Sequence, residues 1–123
     1  MNSTFTKVLR FILALGLLVY GINKFVGFMP IPELPESGSS FMSSLRATGY
    51  VIPILGILEI IIGLLLLFNK SVPFALLLLA PISTNIILFH LFLDLPGIGV
   101  ALVIAFLNIM LIYKHWTVYR PLF

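Results

Sequence analysis

The chain has 123 residues, room for one small domain, yet 61% of them are hydrophobic and only 9% are charged, where a soluble domain is near half apolar and about a quarter charged. So short a chain has too much surface for its volume to hide that many apolar side chains from water, which argues against a soluble monomer and for a membrane setting. The net charge of +3 is scattered singly at the ends of apolar runs, which argues against nucleic-acid binding, and the absence of cysteine removes disulfides, thiol redox chemistry and thiolate metal sites.

The first apolar run covers about residues 8–28. Lys7 and Arg10 precede it as in a signal peptide, but it continues to Phe28 without a small-x-small cleavage site, so a retained span is expected. Pro30, Pro32, Pro35, Gly38 and a serine cluster then break the chain. Within this gap Phe41, Met42 and Leu45 fall at helical spacing after Ser39 and Ser40, which can cap, and this predicts a short helix on the bundle mouth or the interface. Further runs follow at about 50–68, 72–93 and 97–114, separated by Asn69-Lys70-Ser71 and by Asp94-Leu95-Pro96-Gly97. Each run is near the ~20 residues that cross a hydrocarbon core as a helix. The expected fold is all-α: a single domain, 1–123, forming a transmembrane four-helix bundle with a short extra helix in the external loop.

With four spans both termini share a side. That side carries Lys7, Arg10, Lys70, Lys114 and Arg120, so the positive-inside rule places both termini in the cytoplasm of a cell membrane, the inner membrane if the source is bacterial. Tyr113, Trp116 and Tyr119 look like an interfacial aromatic belt. Small residues mark the expected helix-packing positions: Gly16 on the first span, Gly56 and Gly63 on the second, and Gly97, Ala101 and Ala105 on the last, with Gly21 on a face adjacent to that of Gly16.

Ionisable groups inside a span are costly, so each is a functional candidate. Glu59 lies nine residues into the second span, on the face of Gly56 and Gly63, and therefore points into the bundle. Lys24, beside Asn23 and on the face of Tyr20, can reach down toward Glu59 or up toward the headgroups from the first span. Asn85 has a depth like that of Glu59, and His90 lies nearer the mouth, four residues before Asp94. Together Tyr20, Asn23, Lys24, Glu59, Asn85 and His90 suggest a polar pocket in the outer half of the bundle, able to hold a small amphipathic ligand such as a quinone headgroup or a lipid. The alternative is that Glu59 and Lys24 latch two helices together and that Asn85 and Asn108 make interhelical hydrogen bonds. The two histidines lie at opposite membrane faces, so no metal site is expected, and no catalytic triad, phosphate loop or dinucleotide fingerprint is present.

The ordered set Gly21-x-x-Lys24-Phe25, Gly56-x-x-Glu59 and Asn85-x-x-x-x-His90 resembles the DoxX and DoxX-like family of small membrane proteins across nearly the whole chain. The resemblance implies a four-helix membrane bundle with Lys24, Glu59 and His90 as motif positions. It also implies one of several roles: an accessory component of a membrane redox system, such as a subunit of a quinone-linked oxidoreductase with the quinone as ligand and a redox partner in the membrane, or a chaperone-like interaction protein. A homo-oligomer is a further expectation, and the intramembrane Glu59 and His90 add that of a small transporter or proton pathway.

Overall fold

Apolar runs broken by proline, glycine and short polar turns fold here as helices. A computed structural model of the protein describes residues 3–30 and 33–123; Pro32, one of the expected breakers, lies outside them. The helices are α1 (Ser3–Val26), α2 (Glu36–Ala47), α3 (Val51–Leu67), α4 (Val72–Leu93), α5 (Ile98–Lys114) and α6 (Trp116–Tyr119), with 3₁₀ turns at Leu95–Gly97 and Arg120–Leu122. There is no strand among the described residues.

Local chemistry sets the boundaries. Gly27 adopts φ +68°, a left-handed conformation that glycine enters freely, and its N–H donates to Asn23 O at 2.9 Å to close α1. The expected caps of α2 are corrected: the helix starts at Glu36, after Pro35, so Ser39 and Ser40 lie inside it. A carboxylate in the first turn favours that earlier start through the helix dipole. Thr48 joins α2 to α3, donating to Leu45 O at 2.6 Å and accepting from Val51 N at 3.3 Å. The two helices meet at 89°, so α2 lies across the end of α3. Asn69 and Ser71, both at positive φ, make the tight turn into α4, and Pro73 sits in its first turn, where no N–H is needed.

Leu13, Ala14 and Leu17 of α1, Ile62 and Leu66 of α3, Ala75, Leu76 and Leu79 of α4, and Leu107 and Leu111 of α5 form one buried cluster. α1 packs chiefly on α3 and α4 on α5, while α1 also meets α5 and α3 meets α4. Deep inside, Asn108 donates to Leu76 O at 3.1 Å and accepts from Ser83 Oγ at 2.9 Å, joining α5 to α4 as expected of an interhelical asparagine.

The outward faces are as apolar as the core. Ile12, Leu15, Ile57, Phe74, Leu102, Phe106 and Ile109 are all exposed. Continuous apolar surface on this scale is foreign to a monomer in water. α1, α4 and the segment Leu95–Lys114 are long and apolar enough to cross a membrane, at 24, 22 and 20 residues. α3 has 17 residues and joins them as a fourth only if counted with α2 as one bent span. The fold is that of a helical protein consistent with life in a membrane.

The three aromatics expected at the interface differ in burial. Tyr113 and Trp116 are exposed, but Tyr119 is buried and donates its hydroxyl to Pro73 O, folding α6 back on the start of α4.

Candidate functional site

The α1–α3 seam is built from small residues. The helices run antiparallel: Gly63 faces Ala14 and Leu18, and Gly56 faces Gly21 and Phe25. A Cβ on Gly21 would stand 3.0 Å from Gly56 O and 2.9 Å from Ile60 Cγ1, and one on Gly63 would stand 2.9 Å from Leu18 Cγ. Only glycine permits this approach. Gly56 and Gly63 therefore pack as expected, but Gly16 does not: nothing lies within 4 Å of where its Cβ would be, and Gly21 takes its place. The two are five positions apart, about 140° around the helix, so only one of them can face α3. Gly97 also differs from expectation. It lies in the 3₁₀ turn before α5, where a Cβ would collide with Asp94 Oδ2, so it serves its own turn. Ala101 is buried and Ala105 half-buried.

Glu59 sits in this seam, its carboxylate Oε1 2.6 Å from Lys24 Nζ. The two side chains differ in exposure, 25% for Lys24 and 6% for Glu59. Such a short contact is a charge-assisted hydrogen bond, stronger than a neutral one and unscreened by water on the carboxylate side. Asn23 is occupied nearby: its Oδ1 accepts from Met29 N at 2.8 Å and so secures the end of α1. Tyr20, one turn before Lys24, is exposed at 37%.

The third span contributes less to this site than its sequence suggests. Asn85 is exposed, and its amide donates back to Pro81 O at 2.8 Å, so it does not floor a pocket with Glu59 or bond to another helix. Depth along a helix was readable from the sequence; direction around it was not, and a self-bonded amide can face outward at small cost. His90 forms a second pairing at the end of α4, its Nδ1 3.1 Å from Asp94 Oδ2 and 3.2 Å from Asp94 O. Its ring meets Phe89 edge-on, and Phe89 in turn meets Phe41 of α2. Gly38 of α2 rests on Leu93 O. The residues expected to form one pocket are thus arranged as Lys24–Glu59 across α1 and α3, and His90–Asp94 under α2.

A cleft not anticipated from the sequence lies at the opposite end of the molecule. It has a volume of about 370 Å³ and is lined by Thr6, Lys7 and Arg10 of α1, Asn69 of the α3–α4 turn, and Lys114 and His115 after α5. The sequence treated these cations only as markers of orientation. A four-span parity that returns residue 114 beside residue 7, with no acidic residue near either, was the signal available. Among the described residues no three His, Asp or Glu side chains gather into a metal-ligand set.

The chain matches no family model, no curated protein and no solved structure.

Proposed function

We propose that the protein is a multi-pass integral membrane protein in which α1, α3, α4 and α5 form a four-helix bundle, with both termini cytoplasmic and α2 on the outer face. Its role is that of a structural or interaction component without ligand chemistry, and Lys24–Glu59 is the latch that fixes α1 against α3. The observation carrying this reading is the 2.6 Å ion pair set in a glycine-lined seam. Both charges are satisfied by each other, which is what a register-fixing pair inside apolar helices requires. The resemblance to the DoxX family supports the same bundle.

A second reading keeps a ligand. Lys24 is about four times as exposed as its partner, so its open side can donate to the oxygen of a quinone or lipid headgroup while Glu59 orients the ammonium from below. That version would make the protein an accessory component of a membrane redox system.

A double-mutant cycle with Lys24→Met and Glu59→Gln separates the two, read by thermal unfolding in mild detergent and by native mass spectrometry. For a latch, each single variant loses about 3 kcal/mol or more and the double variant loses less than the sum, with no small molecule retained by the wild type. For a ligand site, the wild type carries a stoichiometric quinone or lipid that Glu59→Gln loses at nearly unchanged stability. Additive stability losses would remove the latch.

A further inference from the structure

The cleft at the Ser3 end sets Lys7 and Arg10 together, with Lys114, which is already engaged by another group, on its rim and no Asp or Glu in its lining. The chain's four acidic residues are elsewhere: Glu59 is paired with Lys24, and Glu33, Glu36 and Asp94 belong to the end where α2 rests on Leu93. Phe11 holds two of the cations side by side, its ring 5.1 Å from the Arg10 guanidinium carbon and 6.0 Å from Lys7 Nζ. Arg10 Nε is buried and donates to no partner. Like charges held side by side at an open cleft favour an anion, and the planar guanidinium favours an oxygen acceptor. A phosphate group meets both needs, because its oxygens match the donor fork of arginine and accept from lysine as a point charge.

We infer that this cleft holds the phosphodiester of a lipid whose headgroup carries net negative charge. The inference rests on the membrane placement proposed above. Depth selects the lipid as the source. Exposed Tyr113 and Trp116 bracket Lys114 and His115, and such aromatics sit at headgroup level. Further along the same helices Ile12 and Ile109 are exposed, so an acyl chain leaving the cleft finds an apolar wall. Basic recesses between spans at a cytoplasmic surface bind anionic headgroups in this way.

The test is native mass spectrometry of the full chain in detergent with equal phosphatidylglycerol and phosphatidylcholine. Glycerol 3-phosphate and inorganic phosphate are run as soluble competitors. Phosphatidylglycerol should be retained in preference, and Lys7→Gln or Arg10→Gln should each lower that preference about fivefold, the worth of one cation at a membrane surface. Lys7 is exposed, so its variant keeps the fold even if the Arg10 variant does not. Lys70→Gln, one residue beyond the lining, should leave the preference unchanged. Equal retention of the two lipids overturns the inference, as does an unaffected Lys7→Gln. Glycerol 3-phosphate or inorganic phosphate displacing the lipid at equal concentration would make the ligand a soluble phosphate and overturn the lipid assignment. A chain that stays soluble without detergent fails the membrane reading itself, an outcome distinct from all of these.

Discussion

Asn108 is tolerated among apolar helices because both ends of its amide are bonded, to Leu76 O and to Ser83 Oγ. Replacing it with leucine leaves Ser83 with only its bond to Ala80 O and removes the α4–α5 tie. Asn108→Leu should therefore lower thermal stability by about 0.6 kcal/mol and by no more than about 1.7, the average and the maximum for interhelical hydrogen bonds in membranes. Asn85 is the control. Its amide bonds only within its own helix and its side chain is exposed, so Asn85→Leu should change stability by less than about 0.5 kcal/mol. Tyr119 makes a similar case at the chain's end. Tyr119→Phe removes its bond to Pro73 O and should cost about 1 kcal/mol. Burial also raises the Tyr119 hydroxyl above its ordinary value of 10.0. A raised value means that the protonated form is favoured in the folded state. Its contribution is complete below pH 10 and is lost as pH rises through the folded value. Alkaline melting should thus be steeper for the wild type than for Tyr119→Phe.

The pairing of α1 with α3 depends on which glycines face inward. Gly21→Ala would place a Cβ against the backbone oxygen of Gly56, which cannot yield without moving a helix. A loss of about 1–3 kcal/mol is expected, as for overpacking elsewhere. Gly16→Ala meets open space, so it should be neutral or stabilise by up to about 1 kcal/mol through helix propensity. Detergent melting curves for the pair check both signs. The same seam shows what was legible in the sequence. Gly56, Glu59 and Gly63 share one face by spacing alone, and of the two directions that depth leaves open to Lys24 the structure shows the one toward Glu59. The choice of Gly21 over Gly16 is not legible from the small residues alone; what decides it is Lys24, three positions after Gly21 and on the side that meets Glu59. Asn85 was misplaced because α4 has no dominant polar face to orient it. The start of α2 was misjudged because serine is an acceptable residue both at a cap and inside a helix, and Pro35 with Glu36 decided between them. The basic cleft needed residues 7, 69 and 114 in one place, which only the tertiary packing supplies.

At the scale of the whole molecule, the exposed apolar faces of α1, α4 and α5 and the length of these helices argue for burial in lipid. α3 is the weakest link in a four-span reading, since its 17 residues reach only about 25 Å at the rise of an α-helix. It reaches the length of a span only when joined with α2, which meets it at 89°, as one bent span. If α3 spans, α2 and the α3–α4 turn lie on opposite sides of the membrane. The chain has no cysteine, so single thiols can report this directly. The deciding measurement is labelling of Ser37→Cys and Ser71→Cys in intact cells with a membrane-impermeant maleimide, before and after permeabilisation. Four spans with cytoplasmic termini predict that Ser37→Cys reacts in intact cells and Ser71→Cys only once the membrane is opened. Labelling of both positions from the same side would show that α3 does not cross, and would contradict the four-helix membrane bundle.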